Sequence, residues 1–230
     1  MLRLEMAAKT FNRRDSCVAA LQPTTLEIAD GEYVAVAGPS GSGKTTLLSL
    51  LGAMLAPTSG KVFLNGQSLY ELSVKERAEL RGRKIGFVFQ TFNLVPYLSV
   101  FENVQVPMYL VGLDTKEQRQ RARRLLEKVG LADRMNHKPG ELSVGQQQRA
   151  ALARTLANDP EFILADEPTG NLDPSMREMV LKTLDEFHAE GHTIILVTHD
   201  SAAAARAQRK LRLDEGKVTA ERLNAESVYA

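Results

Sequence analysis

The 230-residue chain has no tryptophan, one cysteine and almost no excess charge of either sign, and each shortage removes a class of protein. Cys17 has no partner for an intrachain disulfide, so a disulfide scaffold is excluded, a reducing compartment is compatible, and a small strand residue is its simplest reading. Twenty-nine Lys and Arg against 28 Asp and Glu leave a net charge of +1, too weak a field to draw the protein to nucleic acid or an acidic membrane surface. Long apolar runs are missing as well. The longest weakly polar stretch, residues 91–113, carries Asn93, Pro96, Glu102, Asn103, Gln105 and Pro107, which disqualify it as a membrane span. Arg3, Glu5 and Lys9 break up the N-terminus, so no signal peptide is expected. What is present is ordinary: 43% hydrophobic and 25% charged residues fit a soluble globular chain, without internal repeats or low-complexity tracts. At about 150 residues per domain, one large domain with room for a subdomain is expected.

Short continuous apolar runs at Tyr33–Ala37, Ile85–Phe89, residues 162–165 and residues 193–197 predict buried strands. Residues 45–55 are uncharged and apolar almost all round, predicting a helix buried on several sides that stops before Pro57. Residues 61–64 meet Asn65-Gly66, a hairpin signal. Asp114 caps a predicted helix over 115–129, with Ala122, Leu125, Leu126 and Val129 on one stripe and Gly130 as its stop. The many basic residues of that helix read as a solvated face rather than a nucleic-acid site. Asp173-Pro174 opens, and Gly191 closes, a helix between the last two strands, giving a strand-helix-strand unit of a parallel sheet.

Gly38-Pro39-Ser40-Gly41-Ser42-Gly43-Lys44-Thr45 fits G-x-x-x-x-G-K-[ST] between a predicted strand and a predicted helix. Its glycines let successive N–H groups face inward, and the helix N-terminus adds its positive end, so the loop forms a cradle for phosphate. Lys44 then reaches the β and γ phosphates, and Thr45 offers a hydroxyl to Mg²⁺. A glycine-rich turn matching by accident would lack that strand and helix context. Asp166, after the strand at 162–165, lies at the carboxyl edge of the sheet and completes the Mg²⁺ shell, while Glu167 is the candidate base for the attacking water. Taken alone, two solvated acids after a strand would look the same. No Asn-Lys-x-Asp guanine-reading motif occurs, which favours ATP over GTP.

Leu142-Ser143-Val144-Gly145-Gln146 precedes a helical stretch over 147–158, and Ser143 with Gln146 has the spacing of a capping box, so a well-capped helix is its plain reading. Taken with Gln90, Asp166-Glu167, Asp173 and His199, however, the order along nearly the whole chain resembles the ATPase of ATP-binding cassette (ABC) transporters. That resemblance implies an α/β fold: a P-loop NTPase core with a mainly parallel sheet, an N-terminal antiparallel β portion and an inserted helical subdomain. Residues 1–90 and 159–230 would form the core and 91–158 the helical part with the signature. It also implies that Gly38, Ser40, Gly41, Gly43, Lys44, Thr45 and Thr46 contact ATP, with Thr45, Gln90 and Asp166 at Mg²⁺. Glu167, His199 and Gln90 would serve catalysis, and Ser143, Gly145, Gln146 and Asp173, in Asn171-Leu172-Asp173, would reach nucleotide from the signature and D-loop. Phe11 looks like the aromatic that stacks on adenine, although the family more often has Tyr there and a buried strand Phe fits equally. The signature usually reads Leu-Ser-Gly-Gly-Gln, so Val144 is a departure; it weakens closure if the first glycine is needed for close approach or positive φ.

In the family, the signature of one subunit faces the P-loop of the other, so a chain with one copy of each motif is expected to pair with itself or a homologous ATPase. The expected partner beyond that is an integral membrane permease, received by residues 91–113, with the ATPase peripheral on the cytoplasmic face of the inner membrane. The phrases at 90–94 and 166–173 look most like the branch that releases lipoproteins or exports macrolides. A regulatory ATPase of the cell-division type and an amino-acid importer remain alternatives; a DNA-repair ATPase would need a long coiled coil that the chain lacks. His137, His188 and His192 show no ligand spacing, so no protein-bound zinc is expected.

Overall fold

The structure, a computed structural model, describes residues 1–13, 16–170 and 172–223. Its elements run β1 (Leu2–Arg13), β2 (Ser16–Ile28), β3 (Tyr33–Ala37), α1 (Lys44–Leu51), β4 (Ser59–Leu64), β5 (Gln67–Ser68), α2 (Val74–Lys84) and β6 (Ile85–Phe89). The helices α3 (Val100–Leu110), α4 (Thr115–Lys128) and α5 (Val144–Thr155) follow. The chain closes with β7 (Phe162–Asp166), α6 (Pro174–Ala189), β8 (Thr193–Thr198), α7 (Ser201–Ala205), β9 (Arg209–Asp214) and β10 (Lys217–Leu223).

Strands order as β10-β9-β3-β8-β7-β6 in one sheet, parallel except for β10, and as β2-β1-β4-β5 in an antiparallel one. The continuous apolar runs have a simple cause: both faces of the parallel sheet are covered. Val34, Val36, Phe162, Leu164, Ile195 and Val197 point into a core shared with α1 and the antiparallel sheet. Their neighbours Tyr33, Ala35, Ile163, Ala165, Ile194 and Leu196 face α5, α6 and α7. A third cluster, built from Val100, Val104, Met108, Ala122, Leu126, Leu142, Ala150 and Ala153, joins α3, α4 and α5 to one another.

Two helices differ in their bounds from the sequence reading. The first helix ends at Leu51, not residue 55. A Cβ on Gly52 would stand 2.8 Å from the Phe87 ring, so only glycine lets the helix end lie this close to β6, and Ala53 then turns away at φ 55. The signature helix begins at Val144 and ends at Thr155 rather than spanning 147–158. Ser143 caps it through the Gln146 amide, so the signature itself is the first turn. The Asn65-Gly66 hairpin is present, with φ 49 and 81, and Cys17 lies exposed on β2. Among the described residues no helix is long and apolar enough to cross a membrane.

What positions the site is register. Ala37 pairs with Thr198, Val197 with Asp166, and Asp166 with Phe89, so β3, β8, β7 and β6 end at the same edge. The phosphate loop, His199, Glu167 and Gln90 leave that edge side by side, where open parallel sheets bind ligands.

Candidate active site

The loop from β3 to α1 turns through left-handed backbone at Gly41 (φ 78) and Gly43 (φ 105). At Gly43 the restriction is double, because a Cβ would also stand 2.1 Å from the Ala20 carbonyl oxygen. No side chain caps α1, so its first N–H groups stay available to an anion. The β9–β10 turn supports the loop from outside, Gly216 N donating to Ser42 O at 3.0 Å.

Ser40, Gly41, Gly43, Lys44, Thr45, Thr46, Gln90, Glu167 and His199 line a single cavity of about 610 Å³, together with Ala20. Lys44 is buried, and its Nζ donates to the carbonyls of Gly38 and Pro39, both at 2.9 Å. Phosphate oxygens would compete for those same protons. Thr45 Oγ1 donates to Asp166 Oδ1 at 3.3 Å, setting two hard oxygen donors side by side as Mg²⁺ requires. Burial raises the Asp166 carboxyl above its ordinary value; the Thr45 hydroxyl opposes the rise, the Glu167 charge adds to it, and Lys44 opposes it.

Glu167 adopts φ 47, a conformation rare for a residue with a Cβ, and is pinned there by N–H donation to Val197 O at 2.9 Å. Such strain costs about 1–3 kcal/mol and clusters at functional sites. Its carboxylate sits 3.8 Å from Lys44 Nζ and 2.5 Å from His199 Nδ1. An ionised carboxylate only accepts, so Nδ1 carries the hydrogen and the imidazole Nε2 is left for a ligand. Gly170 leaves room for the Gln90 amide: a Cβ there would meet Gln90 Nε2 at 2.7 Å.

The remaining expected residues do not line this cavity. Ser143 caps α5 by accepting from Gln146 N, while the Gln146 side chain accepts from Ser143 N at 3.0 Å; a hydroxyl that accepts there still carries a proton it can donate. Asp173 caps α6, accepting from the amides of Ser175 and Met176, and the Ser175 hydroxyl, donating at 2.6 Å, holds its carboxyl below the ordinary range together with those amides. Asn171 lies outside the described residues. A Cβ on Gly145 would stand 1.9 Å from Met176 Cε, so the tips of α5 and α6 touch. Phe11, in β1, pairs across to Val18 and is 41% exposed, with the Lys9 ammonium 5.3 Å from its ring centroid. Val144 is the first residue of α5, takes no positive φ and is 57% exposed, so nothing in the backbone demands glycine there. Sequence reasoning missed Ala20 and Met176. Ala20 acts by its backbone, which leaves no side-chain signature; Met176 is an ordinary helix residue until the fold brings it to Gly145.

A sequence model described as ABC transporter matches residues 21–170. An uncharacterised ABC transporter ATP-binding protein of Thermotoga maritima is 47% identical over 210 residues, 91% of this chain and 90% of that one. The macrolide export ATP-binding/permease protein MacB of Hyphomonas neptunium is 45% identical over 227 residues, 99% of this chain but 35% of its own length. Against such macrolide-export relatives, then, the chain spans about a third of the protein. Among solved structures, the dimeric post-hydrolysis ATP-binding cassette MJ0796 bound to ADP and Pi superposes with a TM-score of 0.88 at 40% identity, covering 97% of this chain and 99% of that one. With a phosphate loop, Glu167 and His199 converging on one cavity, Asp166 bonded to Thr45 of its wall, and relatives matched along almost its whole length, the chain belongs to the ABC transporter family as an ATP-hydrolysing cassette.

Proposed function

We propose that the cavity holds Mg-ATP, that two copies of the chain enclose two nucleotides between them, and that hydrolysis drives a membrane permease which exports or extracts substrates such as lipoproteins or macrolide-like compounds. The observation that carries the catalytic part is the placement of the Glu167 carboxylate between Lys44 and His199 on the wall of the phosphate cavity. Lys44 and the α1 amides would bind the β and γ phosphates, and Thr45, Asp166 and Gln90 would hold the metal. Mg²⁺, when bound there, would supply positive charge that neutralises those phosphates. Glu167 would orient water and accept its proton, worth about 10²- to 10⁴-fold, with His199 fixing the carboxylate and offering Nε2 to the γ-phosphate. Phe11 would stack on adenine.

Pairing is supported by the exposed tips of α5 and α6. Ser143, Gly145, Gln146 and Asp173 lie apart from their own chain's cavity and would complete the partner's, Ser143 and the α5 dipole meeting the triphosphate. ATP then acts as a reversible adhesive. The solved MJ0796 cassette is dimeric, which supports the same reading. For the permease, support comes from a groove of about 830 Å³ between α2, β6, α3 and α5, walled by Phe87, Phe89, Pro107, Leu110 and Val111. Tyr109 and Leu110 beside it are both 74% exposed, a surface suited to a short amphipathic helix from a membrane protein. The macrolide-export relatives name a permease in the same polypeptide. On this reading the chain would sit at the cytoplasmic face of the inner membrane as a peripheral subunit.

Glu167→Gln tests the centre of the proposal. Phosphate release should fall at least 100-fold while ATP affinity holds, and sedimentation should show an ATP-bound dimer; turnover at the wild-type rate would remove Glu167 from its role.

A further inference from the structure

Arg154 sits near the end of α5 opposite Ser143, and its guanidinium donates to the carbonyl oxygens of Asn93 at 2.5 Å and Phe92 at 2.7 Å. Among the described residues it forms no ion pair, and burial pushes its pKa below the ordinary value with no charged neighbour contributing. A guanidinium taken out of water is costly unless its protons are used, so the two carbonyls are what offsets its burial. Those carbonyls follow Gln90 directly in the chain, and Asn93 stands at φ 50, a left-handed conformation that needs holding. The end of α5 does not need Arg154 as an anchor. Thr155 Oγ1 already bonds Phe87 O at 2.8 Å, and Asn158 Nδ2 bonds Gly82 O at 2.7 Å. Among the described residues, Thr91 Oγ1, by contrast, bonds to Asn93 Oδ1, within the same short segment. Arg154 and Asn93 also both face the apolar groove.

We propose that Arg154 is a positioning residue which clamps the segment after Gln90 to the signature helix, so that Gln90 at one nucleotide and Ser143 at the seam move as one body. This rests on the reading of Gln90 and α5 as parts of the ATP site. A segment pressed into the groove meets Asn93 and Arg154 together, three residues from Gln90, and the clamp passes that displacement to both. Without it, Gln90 still has its side chain but no fixed place.

The test is a double-mutant cycle on phosphate release by the full chain at saturating Mg-ATP. Arg154→Gln should lower kcat about tenfold and leave KM within about twofold, because Lys44, the α1 amides, Thr45 and Asp166 still hold Mg-ATP in the ground state and the precise placing of Gln90 tells in the transition state. In a Gln90→Ala background the same substitution should cost less than about twofold, since the residue it serves is gone. Arg149 supplies the comparison: on the same helix it donates to the carbonyls of Val129 (2.9 Å) and Gly130 (3.3 Å), away from Gln90. Whatever factor Arg149→Gln produces should persist in full beside Gln90→Ala. If Arg154→Gln is not recovered folded, Arg154→Lys, which keeps the charge but loses the fork, carries the same cycle. An unchanged kcat, or an Arg154 factor that survives undiminished in Gln90→Ala, overturns the inference alone. A wild-type chain that releases no phosphate overturns the proposed function and this inference with it.

Discussion

Burial holds the Asp166 carboxyl above its ordinary value of 3.8, and the sign of that shift separates stability from function at one atom. An acid whose folded pKa is raised is easier to neutralise when folded, so its charge destabilises the fold at all pH values above that pKa. The cost fades as pH falls through the window between the folded value and 3.8. Asp166→Asn should therefore melt higher than wild type at pH 7, with the difference closing as pH falls through that window, while Mg²⁺-dependent turnover is lost. A lower melting temperature at pH 7 would mean that the carboxylate is better paired than its surroundings indicate. At this scale the loop was legible because Gly43, Lys44 and Thr45 act through residue type: a positive φ, a cation, a hydroxyl. Arg154 was not, because nothing in its local sequence says that its guanidinium ends on Phe92 and Asn93.

Helix starts show which elements a sequence announces. Ser73 with Glu76, Ser99 with Glu102 and Ser143 with Gln146 all form reciprocal capping boxes, and Asp114, Asp173 and Asp200 cap three further helices. Ser143 and Asp114 were readable from their spacing. The starts of α2 and α3 carried the same signal, but Pro107 inside α3 and the sparse apolar residues of α2 obscured the helices behind them. The shared chemistry gives a clean comparison. Ser73→Ala and Ser143→Ala should each cost about 1 kcal/mol, lowering the melting temperature by about 2–4 °C. Only the second should also depress turnover, because in the proposed pair only its hydroxyl would meet nucleotide; equal kinetics in both would reduce Ser143 to a cap. At the next position, Val144→Gly should give equal or higher turnover with a loss of up to about 1 kcal/mol in stability, since valine meets no backbone constraint there and glycine is the poorer helix former. A clear fall in turnover would give the exposed valine side chain a role of its own.

Across the whole molecule, the division is between a sheet edge that collects the chemistry and a helical face proposed to receive the membrane partner. Phe89 lines the apolar groove with Leu110 and Val111, and the next residue, Gln90, lines the phosphate cavity. Leu110→Glu, at a position 74% exposed, should leave a single cooperative unfolding transition in place and abolish co-purification with the membrane partner. Retained co-purification would move the docking face elsewhere. The same co-purification, through the partner's number of spanning helices, separates an exporter from an importer or a signalling device.

Residue type at short spacing was enough for the phosphate loop, the paired acids, four strands of the parallel sheet and the family: glycine where φ must be positive, apolar runs where both faces are buried; β9, whose charged residues interrupt the apolar pattern, was not readable that way. Only the tertiary structure decided which of those residues meet. The alignment of Ala37, Thr198, Asp166 and Phe89 at one edge, the Glu167 bridge between Lys44 and His199, and the grip of Arg154 on the segment after Gln90 all join residues far apart in the chain. Strand register and side-chain reach set such contacts, and neither is written in any local stretch of residues.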